Sequence, residues 1–402
     1  MHISHRQLFF NHLAQTSDFP LAIEIEKAEG IFMYGKGGEK YFDLISGIAV
    51  SNVGHRHPQV LAAIHDQLDK YMHLMVYGEY VQSPQVLLAE ALTKTLDLVC
   101  EGKSPYGPIN SVYFTNSGTE AVEGAMKLAK RFTGRKEIIS CFDAYHGATQ
   151  GALSMSGAEF FKRNFRPLLP GMKQIIHGHF PDLEQISCRT AAVFIEVIGG
   201  ESGVRIPSAE YFKALRARCN EMGTLLIFDE IQTGFGRTGT FWAFEGVDTY
   251  PDILLSAKGM GGGMPIGAFM ASHELMDVFK NNPILGHITT FGGHPVSCAS
   301  SLATLKVIRE NNLHEKAIAK GNLIKSLLVH PKIKEVRGKG LLMAAEMESF
   351  DVLKSVIDKC IQNGVVTDWF LFCDNSMRIA PPLIISEEQI RESVQTILSC
   401  LD

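Results

Sequence analysis

Hydrophobic and polar residues follow two different periods through the middle of the chain. Short apolar runs have the length and composition of buried strands; they are SVYFT, AAVFIEV, TLLIF and DILLS. Between them, TEAVEGAMKLAKRF and AEYFKALRARCNEM carry apolar residues at helical spacing, and a glycine follows the second stretch as a stop signal. Strands that alternate with helices in this way predict a mostly parallel sheet covered by helices.

The two ends of the chain have a different pattern. Residues 22–45 alternate apolar and polar positions around GKGGEK, which predicts a β-hairpin with a glycine-rich turn. The overlapping stretch GIFMYGKG matches most of a phosphate-binding P-loop, but it ends in Gly37 where Ser or Thr is needed, and no helix follows. Beyond residue 300, a long helix leads into the pattern of a separate α/β lobe. We therefore expect an N-terminal segment (1–55) that packs with the small domain, a large domain (56–290) and a C-terminal small domain (291–402).

Composition and charge exclude several classes of protein. The 402 residues are 46% hydrophobic and 20% charged, with a net charge of −5, which is typical of a globular protein. Long basic runs are absent, so nucleic acid is not an expected partner. No apolar run reaches the roughly 18 residues of a membrane span, so a membrane is not expected either, and the start of the chain lacks a signal-peptide pattern.

Cysteine and histidine spacing adds two further expectations. The eight cysteines are scattered without a C-x-x-C motif, which is typical of free thiols in a reducing cytoplasm. The two H-x-H pairs, His55/His57 and His177/His179, have no Cys or Glu at ligand spacing, so we expect no metal site.

Polar residues follow the predicted strands at three places. Asp229 ends the apolar strand TLLIF, at the edge of the sheet where parallel α/β proteins bind ligands, and Gln232 follows it. The turn 117–119 lies between a strand and a helix, so its amides can hold a phosphate, although the same pattern is typical of an ordinary helix cap. Lys258 closes the apolar segment PDILLSAK before a glycine-rich loop, where burial lowers a lysine pKa and makes the amine a candidate for Schiff-base chemistry.

Together these three places match one cofactor. Pyridoxal phosphate (PLP) requires a lysine for its aldehyde, a phosphate-binding turn, and an acid beside its pyridine nitrogen. The sequence therefore predicts a PLP site.

Eight ordered segments resemble those of the class III aminotransferases, a branch of the fold-type I PLP enzymes. They are NSGTEAVEGAMKLAK, YHGATQGAL, FIEVIGGESGV, FDEIQTGFGRTG, DILLSAKGMGGGMPIGA, TTFGGHPVSCAS, VRGKGLL and RIAPPLII, and the resemblance covers roughly residues 20–400. It implies an α/β fold with a large domain on a mainly parallel seven-stranded sheet, plus a smaller α/β domain. It also implies a homodimer with shared active sites.

The resemblance implies a role for each cofactor residue. Lys258 would bind the aldehyde of the cofactor and then move the proton between Cα and C4′, and Asp229 would pair with the pyridine nitrogen. Gln232 would bond the ring hydroxyl, and Tyr145 would stack on the ring face. The phosphate would be held by Ser117, Gly118, Thr119 and, from the neighbouring subunit, Thr290.

The same resemblance implies a site for two chemically different substrates. Arg378 matches the arginine that grips the α-carboxylate of glutamate or 2-oxoglutarate, and Glu201 matches its glutamate partner. Glu201 would neutralise Arg378 when an amine without that carboxylate enters, and would move away for a keto acid, so one site serves both halves of a ping-pong reaction. A static salt bridge is the alternative. Glu196 would support the surroundings of the cofactor.

Three departures from the family pattern bear on the amine donor. The arginine that follows the aromatic-x-Gly motif in acetylornithine and ornithine aminotransferases is Ala148 here, and the tyrosine of ornithine aminotransferases is Ile48. The usual Glu-Pro-Ile-Gln is Glu-Val-Ile-Gly at 196–199. We expect a cytoplasmic PLP-dependent aminotransferase that takes an amino group from a terminal amine or ω-amino acid (ornithine-, acetylornithine- or GABA-like). The keto-acid acceptor would be 2-oxoglutarate or pyruvate.

Two other interpretations remain at this point. A PLP-dependent aminomutase, racemase or decarboxylating transaminase would use the same scaffold and the same cofactor residues. The non-enzymatic alternative is a Rossmann-type nucleotide-binding protein or a regulatory protein with a degenerate site. The absence of G-x-G-x-x-G after the first strand of a βαβ unit counts against the first, and the intact Lys258 counts against the second.

Overall fold

The computed structural model describes residues 3–100 and 103–402. The strands in these ranges are β1 (Ile25–Glu29), β2 (Phe32–Gly35), β3 (Lys40–Asp43), β4 (Ser111–Thr115), β5 (Glu137–Cys141), β6 (Met172–Ile175), β7 (Thr190–Glu196), β8 (Leu225–Asp229), β9 (Ile253–Ser256), β10 (Gly267–Ala271), β11 (Glu335–Lys339), β12 (Leu342–Glu346), β13 (Val365–Val366), β14 (Trp369–Phe370) and β15 (Cys373–Ile379).

The helices are α1 (His5–His12), α2 (Ser46–Ala49), α3 (Pro58–Leu68), α4 (Ser83–Cys100), α5 (Gly118–Thr133), α6 (Gln150–Met155), α7 (Glu159–Lys162), α8 (Ala209–Met222), α9 (His273–Met276), α10 (Pro295–Glu310), α11 (Leu313–Leu327), α12 (Phe350–Gln362) and α13 (Glu387–Leu401). Short 3₁₀ turns connect several of them. Within the described ranges, none of the helices combines the length and hydropathy that a membrane-spanning segment requires.

The central sheet has seven strands in the order β4-β10-β9-β8-β7-β5-β6. Strands β5 to β9 run parallel, whereas β10 is antiparallel to both of its neighbours. Every residue of β7, β8, β9 and β10 is buried, which explains why these strands read as continuous apolar runs. The predicted fold class is therefore confirmed.

Alternate residues of the central strands pack into two separate apolar cores, one on each face of the sheet. In β8, Leu225 and Ile227 belong to the core that α5 covers, and Leu226 and Phe228 belong to the other core. Because side chains alternate with a period of two, Asp229 continues the face that α5 covers. The last residue of the strand thus projects beside the beginning of α5.

The end segments of the chain form two smaller sheets. The hairpin predicted around GKGGEK is present as β2 and β3, and β13 joins it in parallel in the sheet β1-β2-β3-β13. The other sheet is antiparallel, in the order β11-β12-β15-β14. The pairing of β3 with β13 brings the N-terminal segment against the C-terminal part of the chain, while the domain boundaries given above stay a prediction.

The segment α2 is a left-handed turn. Ser46, Gly47, Ile48 and Ala49 all have positive φ angles of 53–63°. This backbone is unfavourable for a β-branched residue such as Ile48, and neighbouring contacts hold it in place. Asp43 accepts the amide N–H of Ser46 at 2.7 Å, and the Ser46 hydroxyl donates to a main-chain carbonyl at 2.7 Å.

Candidate active site

A cavity of about 490 Å³ lies at the carboxyl edge of the central sheet. It brings together most of the residues that the sequence predicts for cofactor and substrate: Ser117, Gly118, Thr119, Tyr145, Asp229, Gln232, Lys258, Glu196 and Glu201. Arg378 is hydrogen-bonded to Glu201 behind the cavity wall. Thr290 is the exception and lies outside the cavity.

Two acids end neighbouring strands at the floor of the cavity. Glu196 and Asp229 are partners in the parallel ladder between β7 and β8, so both side chains project from the same face. Burial, with the negative charge of Asp229 beside it, raises the pKa of Glu196 to about 7. Its carboxyl oxygen accepts the Gly200 amide at 3.1 Å. This end of the site holds a carboxyl group that is partly protonated near neutral pH.

Asp229 is held in place by His146. The Nδ1 atom of His146 lies 2.7 Å from one carboxylate oxygen, and the Ile231 amide donates to the other at 3.0 Å. Burial alone would lower the pKa of His146, but the hydrogen bond and the charge of Asp229 outweigh it, so that pKa is raised. The pair presents a fixed carboxylate to the cavity.

Glu230, the next residue, has a different role. Its carboxylate points to the opposite side of the sheet, where it accepts the amides of Ala243 and Phe244 at 2.9 and 2.8 Å and the Thr233 hydroxyl at 2.7 Å. Burial raises the pKa of Glu230 to about 7. Of the two acids at this strand end, only Asp229 reaches the cavity.

The beginning of α5 forms an anion-binding turn. Ser117 is the N-cap residue, and its hydroxyl accepts the Glu120 amide at 3.4 Å. The first amide N–H groups of a helix have no hydrogen-bond partner inside the helix. Gly118 and Thr119, the first two residues of α5, line the cavity, so their amides are available to an anion. A Cβ atom at Gly118 would lie 2.8 Å from the Ile231 side chain, so this close approach requires glycine. The cap and the phosphate site are the same structure.

Lys258 follows β9 at the floor of the cavity. Its φ of +43° is unusual for lysine, and such backbone strain is common in functional sites. Burial lowers the pKa of its amine; Arg378 lowers it further, and Glu201 and Asp229 oppose the shift. Within the described chain this amine forms no hydrogen bond or ion pair. It is available to react with an aldehyde.

Two further side chains complete the cofactor end. Gln232 donates to Glu201 at 3.3 Å, whereas its own buried Oε1 has no hydrogen-bond partner among the described residues. A buried acceptor without a donor is unfavourable, so this Oε1 atom can accept a hydrogen bond from a ligand hydroxyl. Tyr145 lines the cavity with 37% of its surface exposed.

Glu201 and Arg378 form a bidentate ion pair at the other end of the cavity. Nη1 and Nη2 of Arg378 donate to the two carboxylate oxygens at 2.8 and 3.0 Å, and the Leu371 amide donates to Glu201 at 3.1 Å. Burial alone would raise the pKa of Glu201, but the arginine outweighs it and holds that pKa at about 2. The pKa of Arg378 is raised in turn, because its two acid partners outweigh burial.

Thr290 lies on an exposed segment outside the cavity of its own chain. The neighbouring Thr289 accepts a hydrogen bond from the Asn116 side chain at 3.1 Å, which fixes the segment beside the phosphate turn. Thr290 therefore does not complete the site within one chain.

The donor set of the cavity fits PLP. The α5 amides suit a phosphate, the Asp229–His146 pair suits a pyridinium nitrogen, Lys258 suits an aldehyde, and the orphaned Oε1 of Gln232 suits a ring hydroxyl.

Comparisons with known proteins agree with this chemistry. The profile of the family "Aminotransferase class-III" matches residues 13–401. The chain belongs to this family, whose members are PLP-dependent aminotransferases. It is 38% identical over 395 residues to an acetylornithine aminotransferase of Methanopyrus kandleri, which covers 97% of this chain and 96% of the relative.

Solved structures of the same family have the same fold. An ornithine aminotransferase from Toxoplasma gondii, described with partial occupancy of PLP at its active site, superposes with a TM-score of 0.89 at 30% identity, covering 99% of this chain and 94% of that one. An acetylornithine aminotransferase from Elizabethkingia anophelis gives 0.84 at 31% identity, with 98% and 97% covered.

Sequence reasoning missed two partners of the site. His146 adjoins Tyr145 in the motif YHG, so the need of Asp229 for an orienting group could have identified it. Asp368 hydrogen-bonds Arg378 at 2.8 Å, and no motif in the sequence marks it. Among the described residues, no group of three or more His, Cys, Asp or Glu side chains is arranged to hold a metal ion.

Proposed function

We propose that this aminotransferase moves an amino group from a terminal amine or ω-amino acid to 2-oxoglutarate, with pyruvate as the second candidate acceptor, by a ping-pong mechanism. The observation that carries the proposal is the bidentate Glu201–Arg378 pair at the cavity. A guanidinium with two parallel N–H groups fits a carboxylate, and a carboxylate that already occupies it can neutralise it when the substrate has none.

The roles of the cofactor residues are part of the same proposal. PLP, when bound, withdraws electrons from the substrate Cα and so makes its proton acidic. Lys258 holds the cofactor and then transfers the proton, and its lowered pKa keeps part of the amine neutral for this work. Asp229, fixed by His146, keeps the pyridine nitrogen protonated. Gln232 orients the ring hydroxyl, and Tyr145 covers the ring. The phosphate is bound by Ser117, Gly118 and Thr119.

The donor proposal rests on the cavity wall. Ala148 lines the cavity where the resembling acetylornithine and ornithine enzymes have an arginine for a substrate carboxylate. Val50, Met264 and Ile266 add apolar surface. This wall therefore favours a terminal amine over an ω-amino acid, because the far end of an ω-amino acid carries a carboxylate. Acetylornithine is the second candidate, favoured by the 38% identity to the Methanopyrus kandleri enzyme.

We also propose a homodimer in which Thr290 reaches the phosphate in the partner's site. The exposed segment around it is apolar: Ile284 is 72% exposed, Leu285 63%, Ile288 59% and Phe291 52%. Such a patch is typical of a surface that another subunit covers. A cytoplasmic location is proposed from the cysteines, since the seven whose surroundings are described are all free thiols.

Borohydride reduction and keto-acid dependence test the proposal. Reduction followed by peptide mapping should place the pyridoxyl group on Lys258; a label on another lysine would contradict the assignment. Product should form from an amine donor only when a keto acid is added, in a panel of donors against 2-oxoglutarate and pyruvate. Product without a keto acid would instead indicate a mutase, a racemase or a related reaction.

A further inference from the structure

Arg378 is held on four sides. Its Nη1 and Nη2 atoms donate to Glu201, and Nε donates to Asp368 at 2.8 Å. Nη2 also donates to the Trp369 carbonyl at 3.2 Å, and the ring of Phe370 lies 4.5 Å below the guanidinium carbon. Arg378 thus has two acidic partners, Glu201 and Asp368, and they lie in different parts of the chain.

Asp368 belongs to the same structural unit as Arg378. The Arg378 amide donates to the Asp368 carbonyl at 2.9 Å, and the Thr367 hydroxyl donates to the Arg378 carbonyl at 2.5 Å. Asp368 directly precedes β14 and Arg378 lies in β15, and these two strands are paired in one antiparallel ladder. Asp368 and Arg378 are therefore fixed to each other through the backbone as well as through the side chains.

Glu201 comes from a separate loop that follows β7. It reaches Arg378 from the opposite direction, and Gln232 and the Leu371 amide complete its contacts. If Glu201 leaves, one N–H on each terminal nitrogen is freed and the two point the same way, while Asp368, Trp369 and Phe370 still hold the plane of the guanidinium.

We propose that Asp368 is a positioning residue that fixes Arg378 as an immobile carboxylate-binding group, so that Glu201, and not Arg378, moves when substrates exchange. This inference rests on the proposed function. With Glu201 away, Arg378 and Asp368 together are neutral, so the incoming carboxylate is bound through two oriented N–H groups more than through net charge.

Calorimetric binding of glutarate, an unreactive dicarboxylate, to the PLP-loaded enzyme tests this role. Asp368→Ala removes the acceptor for Nε and should weaken glutarate binding about tenfold. Asp368→Asn keeps an acceptor oxygen but not the charge, so its affinity should lie within about threefold of wild type. Asp374→Ala changes an exposed acid of the same β-hairpin and serves as the matched control with unchanged affinity. Asp368→Ser, whose hydroxyl is too short to reach Nε, replaces the alanine variant if that one does not fold.

Three results would overturn the inference. They are wild-type affinity in the alanine or serine variant, tighter binding in both the alanine and asparagine variants, and a wild-type enzyme that does not bind glutarate. The proposed function fails separately: in that case wild type binds glutarate, but L-glutamate does not convert the cofactor to its aminated form by absorbance.

Discussion

Glu196 and Glu201 are both buried beside the same cavity, but the pKa of Glu196 is raised and the pKa of Glu201 is lowered. Burial raises the pKa of Glu196 to about 7, because the nearby charge of His146 lowers that pKa by less than burial raises it. Burial would also raise the pKa of Glu201, but two hydrogen bonds from Arg378 reverse the effect and bring it to about 2. The comparison shows that the bidentate arginine reverses the effect of burial on the pKa of Glu201.

The difference separates the two ends of the site. At the cofactor end, Asp229 and Lys258 are positioned by the adjacent strands β8 and β9, and His146 fixes Asp229 by a hydrogen bond. At the acceptor end, Glu201 already occupies the arginine, and in the proposed function a substrate carboxylate displaces Glu201. We therefore expect variants at the two ends to differ in which half-reaction they affect.

The largest effect is expected at Lys258. Lys258→Ala should lower turnover at least about 10⁴-fold, because both the covalent attachment and the proton transfer are lost. Steady-state turnover with an amine donor and 2-oxoglutarate measures this. Lys213→Ala, which changes an exposed lysine, is the control and should keep full activity. Substantial turnover in the Lys258 variant would remove this residue from the mechanism.

Arg378→Ala should act mainly on the acceptor half-reaction. We expect kcat/KM for the keto acid to fall about 100-fold and that for an uncarboxylated amine to fall less than tenfold, since only the keto acid needs the guanidinium. Thermal unfolding should also show a loss of about 3 kcal/mol, because Glu201 and Asp368 would be buried without a cation. Arg391→Ala, at an exposed arginine of α13, is the control. Equal losses in both half-reactions would contradict the separation of the two ends.

The pH dependence of the free energy of unfolding compares the two glutamates directly, and the expected effects are smaller than those above. The pKa of Glu196 is raised from 4.5 to about 7 in the folded state. The stability that Glu196 contributes to the folded state is therefore fully present below pH 4.5 and is lost as the pH rises through 7. The pKa of Glu201 is lowered, so its contribution is present above pH 4.5 and is lost as the pH falls through about 2.

Glutamine substitutions should therefore have opposite signs at pH 8. Glu196→Gln should raise the free energy of unfolding by about 2 kcal/mol, while Glu201→Gln should lower it by a similar amount. Denaturant unfolding at pH 5 and pH 8 measures both, and the Glu196 variant should lose its advantage at pH 5. The same sign for both variants at pH 8 would refute the assignment of their charges.

The cofactor end was largely predictable from the sequence. An apolar run that ends in Asp229 or Lys258 is a local signal, and the position of such residues at the edge of a parallel sheet follows from the alternation of strands and helices. The apolar pattern alone could not distinguish Asp229 from Glu230, and the family resemblance selected Asp229; the packing of the two cores determines which acid faces the cavity.

The acceptor end was predictable only in part. The Glu201–Arg378 pair followed from the family resemblance, but Asp368 did not, because its contact depends on how β14 and β15 pair. The left-handed turn at Ser46–Ala49 was also missed, since Gly47 is its only residue without a Cβ atom and so the only one that adopts positive φ readily. Contacts between residues from different elements depend on tertiary packing, which local pattern does not encode.

The most direct test of the account is a comparison of the two half-reactions of Glu201→Gln by cofactor absorbance. We predict that the half-reaction with an uncarboxylated amine slows about tenfold, while the half-reaction with 2-oxoglutarate stays within about twofold of wild type. The single oxygen of glutamine cannot accept both N–H groups of Arg378, so one of them lacks an acceptor only when no substrate carboxylate is present. A static salt bridge would slow both half-reactions equally, and that result would contradict the account.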